Sequence, residues 1–188
     1  MNNQIHPSAV IDDKVIIGNN VYIGPNCTIG FPAEYKKDFG RDTGFTVVIE
    51  DGAVITGNVT IDAGTVRHTR IGKGCFIMKS AYIAHDVQVG AGSILSANVS
   101  LGGHVVLQEN VNLGMGAIVH PRQTIGALAM LGMGCVVTKK SIIKPAHIYV
   151  GNPARELGLN KVGMERNGVD GEALAHLIEA FNQIKGLV

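Results

Sequence analysis

The sequence of 188 residues contains no tryptophan, and only 5% of its residues are aromatic. No apolar run approaches the roughly 18 residues of a membrane span, and the opening Met1-Asn2-Asn3-Gln4 lacks the basic and apolar regions of a signal peptide. The net charge is only +1, so no global field attracts nucleic acid or an anionic membrane. These absences predict a cytoplasmic protein with no transmembrane segment and no nucleic-acid partner.

Cysteine is scarce as well, because the chain has only three cysteines and they lie far apart. This odd, scattered set predicts neither a disulfide framework nor a zinc cluster. Glycine, by contrast, is abundant, at 25 of 188 residues, where about 7% is usual. Since the hydrophobic content of 46% argues against disorder, the surplus glycine is expected to serve a folded structure.

The surplus follows a period of six residues. Every one of 21 hexads opens with Ile, Leu or Val. The opening positions are 5, 11, 17, 23, 29, 49, 55 and 61, and then every sixth residue from 71 to 143. A helix of period 3.6 cannot keep this register, whereas short strands joined by corners can. Three hexads would close one triangular coil of 18 residues, so the pattern predicts an all-β parallel solenoid of about seven coils.

Three further columns support the repeat. The second position is glycine in nine hexads, which predicts a positive φ at a corner. The third position holds four of the six prolines, as a turn would. The fifth position is small or β-branched and includes all three cysteines, which are therefore predicted to be interior side chains.

Two interruptions and an end divide the chain. The β-helix is predicted to span residues 1–154, with an extruded, charged loop at about 31–48 and a shorter break at 67–70. A C-terminal helical extension is predicted for 155–188, in which residues 170–186 form an amphipathic helix between a capping Asp170 and a terminating Gly186.

The 18-residue coil makes residues n and n + 18 neighbours. His85 is therefore expected beside Gly103, and Asp86 beside His104, at positions where side chains leave the interior. A histidine oriented by a carboxylate, with a backbone N–H about one rung away, suits acyl transfer: the imidazole takes a proton and the N–H stabilises an oxyanion. The alternative is a surface histidine that merely hydrogen-bonds its neighbour. His120, one coil above Gly102, would border the same patch.

The hexapeptide resembles that of left-handed β-helix acyltransferases, which are typically homotrimers. Residues 80–87 (SAYIAHDV) and 98–104 (NVSLGGH) are similar to the UDP-N-acetylglucosamine O-acyltransferases of lipid A synthesis. This resemblance implies that His85 is the general base and that Gly103 supplies the oxyanion N–H. It also implies that His120 lines the acyl-donor groove, and that Asn160 and Arg166 contact nucleotide-sugar phosphates, a task that suits a guanidinium.

The chain also departs from the family pattern. Tyr82 and Asp62 stand where the family has histidines, and in the acceptor loop Lys37 is kept. These departures predict a different acceptor, contacted by Glu34, Lys37, Asp62, Tyr82 and His104. Met133 stands where a larger side chain shortens the family's acyl groove, and Met115 lies one coil below it, so the acyl group is expected to be short or medium in length.

Metal binding is not expected. The gamma-class carbonic anhydrases, which share the fold, bind metal through a close histidine pair and a distant third. Here His85, His104 and His120 include no close pair.

The sequence thus predicts a homotrimeric acyltransferase without a permanently bound cofactor, with acyl carrier protein or coenzyme A thioesters as donors and a nucleotide-linked sugar as acceptor. The alternatives are a coenzyme-A-dependent N-acetyltransferase of an amino sugar and a catalytically silent β-helix binding protein.

Overall fold

The computed structural model describes residues 2–37 and 39–186. Residue 38 of the predicted loop and residues 187 and 188 of the predicted extension lie outside the described residues. Most strands have only two residues. In chain order the strands are β1 (Gln4–Ile5), β2 (Val10–Ile11), β3 (Ile16–Ile17), β4 (Tyr22–Ile23), β5 (Thr28–Ile29), β6 (Val47–Ile49), β7 (Val54–Ile55), β8 (Thr60–Ile61), β9 (Thr69–Ile71), β10 (Phe76–Ile77), β11 (Tyr82–Ile83), β12 (Gln88–Val89), β13 (Ile94–Leu95), β14 (Ser100–Leu101), β15 (Val106–Leu107), β16 (Asn112–Leu113), β17 (Ile118–Val119), β18 (Thr124–Ile125), β19 (Met130–Leu131), β20 (Val136–Val137), β21 (His147–Val150) and β22 (Arg155–Leu159).

From β1 to β20 every third strand joins the same parallel sheet, which is the topology of a three-sided solenoid. Sheet A begins with β1, sheet B with β2 and sheet C with β3. Uninterrupted coils pair at a register of 18 residues, as Ile83 with Leu101 shows. The predicted all-β solenoid is confirmed, with about eight turns rather than seven. The extra turn comes from β21, which pairs with β19 after the aliphatic pattern has ended and places Tyr149 inward.

The core is a stack of aliphatic side chains along the solenoid axis. From Ile23 to Ile143, every residue that opens a hexad is at most 2% exposed. Fully burying such a side chain contributes about 1.5–3 kcal/mol. The three cysteines are free and buried in the fifth-position column, as predicted. Burial raises the pKa of the Cys75 thiol to about 11, so the thiol stays protonated.

The predicted reason for the second-position glycines is wrong. Of the nine, only Gly30 has a φ in the left-handed region. The others are needed because a Cβ would collide with the next coil; at Gly126 it would lie 2.3 Å from the backbone nitrogen of Pro145. The left-handed conformation falls instead on the fourth position, where Asn98 and Gly116 are typical occupants.

Three edges run along the solenoid, and we name each by the two sheets it joins in chain order: AB, BC and CA. Both interruptions of the repeat lie on the BC edge. Residues 30–46 connect β5 of sheet B to β6 of sheet C, and residues 62–68 connect β8 to β9. The same edge carries His85, which follows β11. The insertions and the candidate base are therefore on one side of the molecule.

The C-terminal residues continue from the last coil. Strand β22 pairs antiparallel with β21, so hydrogen bonds cross the predicted division after residue 154. The division itself stays a prediction. Helix α1 (Lys161–Arg166) follows, and then helix α2 (Gly171–Lys185). Helix α2 confirms the predicted amphipathic helix, because Asp170 accepts from the Ala173 N–H and Gly186 ends it with a φ of 64°. In the described chain no helix has the length and apolar character that a membrane crossing requires.

Candidate active site on the BC edge

The repeat register brings His85 against Gly103. The His104 N–H donates to the His85 carbonyl at 3.0 Å, which joins the two corners. A Cβ on Gly103 would lie 2.6 Å from His85 Nε2. The imidazole therefore occupies the space that any other residue at position 103 would fill.

Asp86 orients the His85 ring. His85 Nδ1 lies 2.7 Å from Asp86 Oδ2. A carboxylate can only accept at this contact, so Nδ1 carries the proton and Nε2 keeps its lone pair. His85 is 13% exposed, whereas Asp86 is fully buried. The pair thus presents a basic nitrogen from a buried, anionic support.

The short interruption holds the Asp86 carboxylate; it was predicted at 67–70 but lies at 62–68, because residues 69 and 70 belong to β9. The backbone N–H groups of Thr65, Val66 and Arg67 each donate to Oδ1 at 2.9 Å, and the Thr65 hydroxyl donates to Oδ2 at 2.6 Å. Burial alone would raise the pKa of Asp86, but the hydrogen bonds from Thr65, His85, Val66 and Arg67 outweigh it and hold the pKa well below its usual range. The residues of the break therefore keep Asp86 ionised.

His104 completes the polar cluster. Its ring lies edge-on to that of His85, with centroids 5.0 Å apart, and its Nδ1 is 3.7 Å from Asp86 Oδ2. Burial lowers the pKa of His104; Asp86 opposes this effect and the nearby Arg122 adds to it. A neutral His104 can donate or accept a hydrogen bond beside His85. Because it is uncharged, it does not oppose the positive charge that the His85 ring gains when it takes a proton.

The Gly103 N–H is available to a ligand. Within residues 2–37 and 39–186 this N–H has no acceptor, while the Gly103 carbonyl accepts from the Arg122 N–H at 2.9 Å. An unpaired N–H next to the His85 ring can stabilise an oxyanion that forms there. Together the two groups supply a proton acceptor and an anion-stabilising donor.

A pocket of about 430 Å³ opens over these groups. It is lined by Tyr35, Thr65, Val66, His85, Gly103, His104, Pro121 and Arg122. Tyr35 comes from the long loop, and its ring centroid is 5.5 Å from that of His85. Sequence reasoning missed Tyr35, Thr65 and Arg122, although the 18-residue register places Arg122 one coil above His104.

Two predicted acceptor residues contact each other beside the base. The Tyr82 hydroxyl donates to Asp62 Oδ2 at 2.7 Å, and Asp62 is only 5% exposed. Burial raises the pKa of Asp62, and the negative charge of Glu34 adds to this. Burial and the Asp62 carboxylate raise the pKa of Tyr82. Lys37 is exposed, and no hydrogen bond or ion pair links it to the described residues.

An apolar groove of about 350 Å³ adjoins the site on the outer face of sheet B. Tyr82, Gly102, Ile118, Val136 and His120 are among its lining residues. His120 Nδ1 lies 2.9 Å from the Pro121 carbonyl and donates to it. The groove gives an apolar chain a path that ends near Gly103.

Four predicted residues lie elsewhere in the chain. Asn160 caps α1 through the Gly163 N–H and donates to the Leu128 carbonyl. Arg166 ends α1, beside Ile94 and other residues of sheet A. Met115 and Met133 follow β16 and β19 on the AB edge and are 53% and 73% exposed. Their roles stay predictions, and these side chains could reach a BC edge only in another copy of the chain.

His85, Asp86 and His104 also place possible metal-ligand atoms within 4.8 Å of one another. The sequence analysis considered only histidines as possible metal ligands, so it did not include Asp86. However, Asp86 Oδ2 already accepts from His85 and Thr65, which leaves little capacity for a cation.

The β-helix and its carboxylate-oriented histidine define the class of hexapeptide-repeat transferases, and residues 1–30 and 68–103 match the bacterial transferase hexapeptide (six repeats) family. The chain is 36% identical to the acyl-[acyl-carrier-protein]–UDP-N-acetylglucosamine O-acyltransferase of Vibrio campbellii, over 96% of this chain and 82% of that protein. The chain belongs to the family of UDP-N-acetylglucosamine O-acyltransferases.

Two solved structures extend the comparison. The UDP-N-acetylglucosamine acyltransferase of Bacteroides fragilis is similar with a TM-score of 0.85 and 29% identity, over 96% of this chain and 70% of that one. A variant of perosamine N-acetyltransferase from Caulobacter crescentus, bound to coenzyme A and GDP-perosamine, is similar with a TM-score of 0.53 and 26% identity, over 84% of this chain and 57% of that one.

Proposed function

We propose that the protein transfers a short or medium acyl group from an acyl carrier protein or coenzyme A thioester to a hydroxyl or amine of a nucleotide-linked sugar such as UDP-N-acetylglucosamine. The observation that carries this proposal is the His85 imidazole, which is hydrogen-bonded to Asp86 and packed against Gly103, a residue whose N–H has no acceptor in the described chain. The name of the Vibrio campbellii relative supports both the donor and the acceptor class.

The geometry supports general-base catalysis. His85 Nε2 takes the proton as the acceptor oxygen or nitrogen bonds to the thioester carbonyl carbon, while Asp86 stabilises the imidazolium. The Gly103 N–H stabilises the tetrahedral oxyanion. The carbon–sulfur bond then breaks, and the proton passes from His85 to the departing thiolate. The donor is a substrate, so the mechanism needs no permanently bound cofactor.

The acceptor is proposed to lie on the side of Asp62, Tyr82 and Glu34, with His104 and Lys37 as further contacts. The donor is proposed to lie in the sheet B groove beside His120. This arrangement leaves the base between the two substrates, as a transfer reaction requires.

The cytoplasmic location and homotrimer also belong to this proposal. Asn160, Arg166, Met115 and Met133 lie away from His85 within one chain, so their proposed roles require a neighbouring copy. Light scattering should give a mass of three chains. If Met133 limits acyl length, a Met133→Gly variant should accept longer donors than the wild type, and an unchanged donor preference would contradict this role.

The direct test compares His85→Ala with His176→Ala, which changes an exposed histidine on α2. Loss of the base should lower turnover by about 10²–10⁴-fold, while the α2 variant should match the wild type. Near-full turnover of a folded His85→Ala protein would refute the mechanism.

A second candidate is a coenzyme-A-dependent N-acetyltransferase of an amino sugar. The similarity to perosamine N-acetyltransferase favours it. The Asp62 carboxylate near the base also favours it, because a carboxylate can accept a hydrogen bond from the amino group of the acceptor. A panel of hydroxyl and amino sugar nucleotides with both donors would separate the candidates. Absence of thioester cleavage with every acceptor would favour a silent binding protein.

A further inference from the structure

Three cations continue the BC edge above the active site. Arg122 lies one coil above His104, because its N–H donates to the Gly103 carbonyl at 2.9 Å. Strand β17 pairs with β20 in the same register, which places Lys139 above Pro121 and Lys140 above Arg122. The cation ladder, as we name Arg122, Lys139 and Lys140, therefore begins in the pocket wall and extends away from His85.

The cation ladder is not neutralised by the protein. All three residues are exposed. Among the described residues their side chains form no ion pair and no hydrogen bond, whereas Arg67 donates to the Asp86 carbonyl and Arg70 pairs with Glu50. Arg122 is also close enough to His104 to lower its pKa. An unpaired group of cations at the mouth of a pocket favours an anionic ligand.

We propose that the cation ladder binds a phosphate group of a substrate that reacts at His85, an inference that rests on the acyl transfer proposed above. Both substrate classes carry phosphate. In the donor it is the phosphodiester that joins the pantetheine arm to acyl carrier protein or the diphosphate of coenzyme A, and in a nucleotide-linked sugar it is a diphosphate. The Arg122 guanidinium can bind phosphate through two parallel N–H donors, and the lysines add point charges.

The spacing of the three cations relates the donor phosphate and the acceptor diphosphate to different parts of the ladder. Successive coils are about 4.8 Å apart, so Arg122 lies roughly 5 Å and Lys140 roughly 10 Å above His104 along the edge. A nucleotide-linked sugar that reacts at His85 has one ring between its reacting group and its diphosphate, so past His104 its diphosphate would reach Arg122 but neither lysine. The longer pantetheine arm would follow the apolar groove past Ile118 and Val136 and reach both lysines.

Binding measurements on the full-length protein separate these sources without relying on turnover. The probes are 4′-phosphopantetheine, pantetheine without phosphate, and UDP, titrated calorimetrically. The variants are Arg122→Gln and the double variant Lys139→Gln/Lys140→Gln. Lys79→Gln is the matched control, because Lys79 is an exposed lysine at the same hexad position as Lys139 but on the AB edge.

Loss of a charged phosphate contact should weaken binding by about tenfold or more, and the wild-type affinity should fall as salt screens the exposed charges. If the ladder variants lose affinity only for 4′-phosphopantetheine, the ladder binds the donor phosphate. If they lose affinity only for UDP, it binds the acceptor diphosphate. Pantetheine binding should stay unchanged.

The proposal is overturned if both phosphate probes bind the ladder variants as they bind Lys79→Gln, or if the wild type binds neither probe. Circular dichroism checks that each variant is folded. If the wild type shows phosphate-dependent binding but transfers no acyl group, the phosphate site stands and the proposed function fails.

Discussion

The BC edge differs from the AB and CA edges although all three have the same backbone repeat. Corners on AB and CA carry residues such as Asn98 on AB and Asn110 on CA, whose main task is to turn the chain. Successive BC corners carry Asp86, His104 and Arg122 at the same hexad position, and both insertions emerge there. The coils thus provide a common scaffold, and the polar cluster and both insertions are gathered on one edge of it.

The largest predicted difference between the edges comes from removing Asp86. Asp86→Ala leaves the donors of Thr65, Val66 and Arg67 without their buried acceptor, so we expect a loss of about 3–5 kcal/mol in unfolding free energy. Asn98→Ala, at the same hexad position on the AB edge, should cost about 1–2 kcal/mol because alanine tolerates a positive φ poorly. Denaturant unfolding measures both, and equal losses would contradict a special BC edge.

Two glycine substitutions should separate scaffold from site. In Gly126→Ala the new Cβ meets backbone at 2.3 Å, so stability should fall by about 1–3 kcal/mol with little change in turnover of the folded protein. In Gly103→Ala the Cβ meets the His85 ring, which can move, so turnover should fall more than stability. Thermal unfolding and initial rates test this pair. The comparison fails if Gly103→Ala keeps full activity.

A smaller effect is expected at Tyr82. Tyr82→Phe removes the hydroxyl that donates to buried Asp62 and should cost about 1 kcal/mol. Tyr22→Phe is the matched control, since Tyr22 is an exposed strand residue whose hydroxyl forms no hydrogen bond within the described chain. Urea unfolding of both variants should reveal a loss only for Tyr82→Phe. Equal losses of unfolding free energy in the two variants would mean that the hydrogen bond from Tyr82 to Asp62 contributes no stability.

The last prediction concerns pH, where two carboxylates of the BC edge act with opposite sign. The pKa of Asp86 is lowered, so its stabilisation is present above the unfolded value of about 3.9 and is lost as the pH falls through the lower folded value. The pKa of Asp62 is raised, so stability is lost as the pH rises from about 3.9 through the folded value.

Asp62→Asn should therefore flatten the stability decline above pH 4, while the acid dependence caused by Asp86 remains. Unfolding free energies measured across pH test this. A wild-type profile that matches the variant's would show that the Asp62 pKa is not raised.

Much of the site followed from the repeat alone. The 18-residue register predicted the contacts of His85 with Gly103 and of Asp86 with His104, because uninterrupted strands stack without slipping. The same register would have revealed Arg122. It could not predict Tyr35 or the amide donors of Thr65, Val66 and Arg67, because insertions break the period and their path depends on what they pack against.

The sequence by itself determined the three-sided parallel solenoid, its buried aliphatic and cysteine columns, and helix α2, since each depends on a local pattern repeated in register. Only the tertiary structure decided why the second-position glycines are needed, because the clash involves the next coil. It also decided that β21 adds a turn and that the short insertion holds Asp86 ionised. These outcomes depend on contacts between segments whose spacing the period does not specify.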